Sequence, residues 1–133
     1  SVLGRGQLRA TGPQDADDLY QQGLVYLDMG LYEQAATSFS EAALHPDYLL
    51  RACEMGGIAL LKAGSPEAAL TVLAQGLETE DVAPRETLGL LYHAGRALED
   101  LGRQAEAHER YTRVHGIDPG FLDVARRVEA TVA

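Results

Sequence analysis

The chain has 133 residues and carries 20 acidic against 11 basic side chains, a net charge of −9. That balance opposes binding to a phosphate backbone, which needs clustered Lys and Arg, and 46% hydrophobic residues is more than a disordered chain carries. One cysteine excludes an internal disulfide framework and a multi-cysteine zinc site, and no apolar run nears the roughly 18 residues of a membrane helix.

The acidity is graded along the chain: residues 1–48 carry two arginines and seven acids, whereas residues 87–133 carry six arginines and seven acids. An acidic front and a nearly neutral, Arg-bearing back can orient a charged partner, or can simply keep the surface soluble. Lys62 is the one lysine beside ten arginines, a bias that fits a GC-rich bacterial genome. The chain opens on Ser1, so an excised piece with any targeting signal removed is expected. The expected compartment is the cytoplasm, with a single cysteine compatible with the periplasm as well. Gly4, Gly6, Gly12 and Pro13 mark residues 1–14 as a linker or tail.

From residue 15 a pattern recurs three times. Leu19, Gly23 and Tyr26 are followed by Gly30, Ala35, Phe39 and Ala42. Cys53, Gly57 and Leu60 are followed by Gly64, Ala69, Leu73 and Gly76. Leu91, Gly95 and Leu98 are followed by Gly102, Ala107, Tyr111 and Val114. Gly23 and Gly57 are 34 residues apart, and Gly57 and Gly95 are 38 apart. Such a period signals stacked supersecondary units rather than one irregular domain.

Each unit reads as two amphipathic helices. The first glycine lets a neighbouring helix approach closely, at a cost of roughly 1 kcal/mol in helix propensity. The second, seven residues on, ends the first helix in a left-handed conformation. The small and large residues at 35/39, 69/73 and 107/111 share one face of the second helix and interlock with their neighbours. Pro13, Pro46, Pro66, Pro84 and Pro119 all fall at helix starts or in turns. Four extra residues lie between the second and third units, within 78–84. They make the first helix of unit three a turn longer or form a solvated acidic loop. At the end, Phe121, Val124, Ala125 and Val128 form one stripe, with Arg126 and Arg127 expected outside it, as in a helix closing an array.

These three in-phase units resemble the tetratricopeptide repeat (TPR) family over about residues 16–120. The resemblance implies an all-α fold: a right-handed superhelical array of three helix pairs plus a C-terminal capping helix. The repeats fall at about 16–48, 49–83 and 84–119, inside a domain spanning 15–132, with the cap at about 120–132. The usual Leu before the first glycine is replaced by Gln22, Gly56 and Ala94, so looser packing is expected there.

No catalytic constellation emerges. His45, His93, His108 and His115 form no HExxH arrangement, and phosphate-cradling glycine motifs are missing. Cys53 falls at a core position and reads as an inert thiol. No cofactor, metal or enzymatic activity is expected. The family instead binds partners on the concave face lined by the first helices. By family position that face holds Tyr20, Leu24, Leu27, Arg51, Met55, Ile58, Leu61, Tyr92 and Arg96, an apolar middle flanked by tyrosine and charge. It suits an amphipathic helix or an apolar-anchored peptide. The positions that in chaperone-binding members clamp a C-terminal carboxylate hold Tyr20, Leu24, Met55, Gly89 and His93, so chaperone tails are not expected ligands.

The implied function is a non-enzymatic scaffold or adaptor, with no nucleic-acid binding and no membrane insertion. The style of the repeats resembles terminal units of large bacterial TPR proteins that serve pilus, secretion, motility or polarity machinery, with a small GTPase or a polarity protein as client. Two alternatives are self-association through exposed apolar ends and a peptide-sensing regulator.

Overall fold

The computed structural model describes residues 13–132; of the tail expected over 1–14, residues 1–12 lie outside them, and Pro13 and Gln14 open the first helix instead. Seven α-helices follow one another, with no strand among the described residues: α1 (Pro13–Asp28), α2 (Tyr32–Ala42), α3 (Leu49–Lys62), α4 (Pro66–Leu77), α5 (Leu88–Asp100), α6 (Gln104–Ile117) and α7 (Val124–Thr131). Helices α1/α2, α3/α4 and α5/α6 pack as consecutive pairs, each pair packs on the next, and α7 packs on α6.

The turn inside each pair is set by one glycine. Gly30, Gly64 and Gly102 have φ of 77°, 80° and 75°, a region that disfavours residues with a β-carbon. The residue after each glycine donates its N–H back to the last turn: Leu31 to Tyr26, Ser65 to Leu60 and Arg103 to Leu98, at 2.8–2.9 Å. These bonds satisfy carbonyls the helix end would otherwise leave bare.

Packing within the pairs repeats just as closely. Phe39, Leu73 and Tyr111 are fully buried, each on the second helix of its pair. Each lies against a glycine of the first helix: a β-carbon at Gly23, Gly57 or Gly95 would stand 2.5 Å from Phe39, Leu73 or Tyr111. Around these three side chains the core divides into three clusters. One joins Phe39 to Ala35, Ala42, Ala52 and Ala59; the next joins Leu73 to Cys53, Leu90 and Ala94. The third surrounds Tyr111 with Leu88, Leu91, Tyr92, Leu98, Val114 and Val124. Burying a side chain of this size contributes about 1.5–3 kcal/mol. At Gly56 and Ala94 the looser packing expected is not seen: both are buried, and a β-carbon at Gly56 would stand at ordinary contact, 3.5 Å, from Phe39 and Val72.

The extra residues before unit three form a loop, not a longer helix. Helix α4 ends at Leu77, a 3-10 turn covers Pro84–Thr87, and α5 has 13 residues against 14 in α3. Pro84 has no N–H to continue a preceding helix, and Asp81 takes a φ of 56°. The Glu86 carboxylate accepts the Ala83 N–H at 3.1 Å, which fixes where the new turn starts.

At the C-terminal end two expectations change. Helix α7 begins only at Val124, after a turn in which Leu122 has a φ of 46°. Val124 is buried and Phe121 and Val128 pack on the third cluster, but Ala125 is exposed. Arg127, expected outside with Arg126, points inward: its side chain is 18% exposed against 68% for Arg126. The cause is a waiting set of acceptors, since Arg127 reaches Glu99 at 2.9 Å and Asp123 at 3.1 Å. A guanidinium can enter a half-buried site when its donors are matched in this way.

Candidate protein-interaction site

Helices α1, α3 and α5 are the first of each pair. Helix α3 packs directly on α5. Their heads meet at one edge: the Tyr48 hydroxyl, just before α3, donates to Asp17 of α1 at 2.7 Å, and Gly89 at the head of α5 faces the Glu54 carboxylate of α3. Of the nine residues expected to meet a partner on these helices, eight are open or half-open.

At the α1 end Tyr20 and Arg51 come together. The Tyr20 ring lies 5.5 Å from Phe39 and 5.7 Å from Tyr48. The Arg51 guanidinium sits 4.2 Å from the Tyr48 ring centre and 5.7 Å from that of Tyr20. Arg51 is thus held as a flat cation over two aromatic faces, with no ion pair among the described residues to consume its charge. Burial pushes the Tyr20 hydroxyl upward, so it remains a neutral donor. Tyr48 completes this platform and was not among the expected residues. It lies on a 3-10 turn, Pro46–Tyr48, rather than on a helix face, so helical spacing cannot find it.

The apolar middle is arranged in two parts. Leu24, Leu27 and Met55 are half-buried on the Phe39 cluster. Ile58 and Leu61 lie further along, bordering a cleft of about 290 Å³ with Lys62, His93, Arg96 and Asp100. His93 Nδ1 is 2.8 Å from the Gly89 carbonyl, which can only accept, so Nδ1 carries the proton and Nε2 is left as an acceptor. Burial lowers the His93 pKa, keeping the ring neutral at pH 7.

Tyr92 is the exception. It is 4% exposed, enclosed by Tyr111 and Phe121 at ring distances of 5.7 and 5.9 Å. Its hydroxyl donates to Asp123 and accepts from Arg127 Nε at 2.9 Å. The closing segment therefore covers this residue, and a partner cannot reach it. Burial alone would raise the Asp123 carboxyl, but Tyr92, Arg127 and Arg126 hold it down at about 2. The Tyr111 hydroxyl donates to Glu99 at 2.5 Å, which ties Glu99 and Arg127 into the same network.

The remaining chemistry-bearing groups stay apart. Cys53 is 1% exposed and its thiol is pushed up by burial. His108 Nδ1 lies 3.0 Å from the Thr131 hydroxyl. Among the described residues no three His, Cys, Asp or Glu are placed to hold a metal ion, and no helix is long and apolar enough to cross a membrane.

No sequence-family model matches this chain, and no curated protein matches it. Solved structures do. The first TPR domain of Spaghetti (RPAP3), bound to the HSP90 peptide SRMEEVD, superposes with a TM-score of 0.81 at 17% identity, covering 92% of this chain and 94% of that one. PcrH from Pseudomonas aeruginosa gives 0.79 at 20% identity over 95% and 98%. The Yersinia enterocolitica type III secretion chaperone SycD, in complex with a peptide of the translocator YopD, gives 0.75 at 20% identity over 90% and 94%. The fold is that of a TPR array.

Proposed function

We propose that the chain is a protein-interaction module whose α1–α3–α5 face binds an apolar-anchored segment of a partner protein, without catalysis of its own. The observation that carries this reading is the pair of half-open apolar patches, Leu24, Leu27 and Met55 in one and Ile58 and Leu61 in the other, with the Arg51 platform beside the first and Arg96 beside the second. Two similar structures, Spaghetti and SycD, hold peptides of other proteins, which supports the same use of the fold here. The patches offer apolar anchoring, and the flanking cations offer orientation. An acidic tail such as the HSP90 peptide fits this groove poorly, because Glu54 fills the space beside Gly89 with a carboxylate. Among bacterial settings such as motility, pilus, secretion and polarity, the secretion chaperone SycD supports secretion. A small GTPase or polarity protein as client rests on the style of the repeats.

Affinity capture from source cells with the wild-type chain beside Leu24→Glu and Ile58→Glu tests the reading. A client retained by wild type and lost by both variants, with helical circular dichroism unchanged, is the expected result. Retention of every client by both variants would exclude the patches as the contact.

One observation favours self-association as a second reading. Val25 on α1 and Met29 just past its last residue stand four residues apart at 56% and 64% exposed, on the first described helix. Light scattering that shows a concentration-dependent mass, abolished by Val25→Lys with Met29→Lys, would favour it.

A further inference from the structure

Acids outnumber bases 20 to 11 in this chain, so a basic side chain rarely lacks a carboxylate to meet. Among the described residues Arg85, Arg103, Arg110, Arg113, Arg126 and Arg127 each pair with one. Arg51 has none but lies over the Tyr48 and Tyr20 rings. Of the described lysine and arginine side chains, Lys62 and Arg96 alone have neither a carboxylate nor a ring. Both border the same cleft of about 290 Å³, between α3 and α5.

The one carboxylate on that cleft does not answer them. Arg96 and Asp100 stand four residues apart on α5, the spacing of a helical ion pair, yet they form none. Arg96 is half-buried. Its guanidinium has given up water without gaining an acceptor, a cost that an incoming carboxylate would offset.

The other walls define what accompanies that carboxylate. Ile58 and Leu61 supply an apolar side. His93 turns Nδ1 to the Gly89 carbonyl and is neutral at pH 7, so it adds no charge. Two cations and one carboxylate leave the cleft at +1. A carboxylate monoanion matches that charge, whereas a phosphate dianion would exceed it and face Asp100. Lys62 and Asp100 are exposed, so the cleft opens to solvent and a chain can continue past it. That favours a side-chain carboxylate over a chain end. Lys62 and Arg96 also lie apart from the positions that clamp a C-terminal carboxylate in chaperone-binding TPR proteins, held here by Tyr20, Leu24, Met55, Gly89 and His93.

We propose that this cleft takes an aspartate or glutamate side chain of the partner segment between Lys62 and Arg96, with a neighbouring apolar residue of the segment on Ile58 and Leu61. The inference rests on the function proposed above and adds one acidic residue to the apolar anchors. Nearer the heads of the helices, the Glu54 carboxylate beside Gly89 repels the same charge. The two sites together set the direction in which the segment lies.

Two amidated peptides serve as probes: acetyl-Leu-Ala-Ala-Leu-Ile-Glu-Leu-Ala-amide and its glutamine counterpart, each titrated into the 15N-labelled full chain. The Arg96 Nε–Hε signal reports the cleft, and the backbone amides of Leu24 and Ile58 report the apolar patches. The glutamate peptide is expected to bind about fivefold more tightly, the size of one half-open charge pair. It should shift the Arg96 signal and lose its advantage in about 0.5 M salt. Lys62→Gln with Arg96→Gln should bring the two peptides to equal affinity, with helical circular dichroism unchanged, and Asp100→Asn should widen the difference. Equal affinity for the wild-type chain, with shifts at Leu24 and Ile58, would overturn the inference and leave the apolar face standing. Shifts from neither peptide at about 5 mM would overturn both. Tighter binding of a phosphoserine peptide would also overturn it, as would a glutamine peptide with a free C-terminal carboxylate that matches the glutamate peptide.

Discussion

The glycine-and-knob packing can be tested by adding one methyl group at two places. At Gly57 a β-carbon would stand 2.5 Å from Leu73 Cγ and Cδ2, and Leu73 is fully enclosed, so it has nowhere to move. Gly57→Ala gains about 1 kcal/mol in helix propensity but overpacks the core at a cost of about 1–3 kcal/mol. The expected net effect is a loss of up to about 2 kcal/mol. At Gly116, on α6, a β-carbon meets nothing within 4 Å, so Gly116→Ala keeps only the gain, about 0.5–1 kcal/mol. Leu73→Ala alone empties a fully buried site and costs about 2–5 kcal/mol. With Leu73 shortened, the added methyl at Gly57 enters vacated space. The double variant is therefore expected to be no less stable than Leu73→Ala, a coupling of at least about 1 kcal/mol between contacting sites. Urea unfolding followed by circular dichroism gives the four midpoints at constant m-value. If Gly57→Ala and Gly116→Ala both stabilise, or if the Gly57 and Leu73 changes simply add, the reasoning fails.

Three further outcomes follow from the same structure. Asp123 is held at about 2 against an ordinary 3.8, so between those values the unfolded chain binds the extra proton and stability falls as pH drops; Asp123→Asn should flatten the urea midpoint between pH 4 and 2. Arg127→Met should cost about 1.5–3 kcal/mol at pH 7, because Glu99 and Asp123 both lose a charged donor, and thermal melting reads it. Glu54, raised by burial, opposes folding most when ionised, so Glu54→Gln should stabilise the chain at pH 7 and lose that advantage below about pH 4, as measured by urea midpoints.

Most of the fold was legible because its constraints are local. A left-handed residue ending each first helix leaves a glycine at 30, 64 and 102 in the sequence. A close helix approach leaves a glycine at 23, 57 and 95 and a large residue sixteen positions later. The loop before unit three was less legible, since four residues match one helical turn in length. Pro84 and the Glu86 carboxylate on the Ala83 N–H decided it.

The groove was harder to read for a different reason. Counting by family position assumes that every first helix meets the same neighbours, and that fails at α5. Beyond α5 there is no further first helix among the described residues; the turn at Phe121 and the helix α7 take its place. Tyr92, at a position that faces the groove in the earlier units, therefore meets Phe121, Asp123 and Arg127 instead. The same substitution of neighbours draws Arg127 inward, since Glu99 and the Tyr92 hydroxyl sit where another repeat would have supplied partners. Arg96, one turn further along α5, escapes the cover and remains in the cleft with Ile58 and Leu61. The proposed contact face thus takes in α1, α3 and only the later half of α5, and its outer limit is set by the closing segment rather than by the repeat pattern.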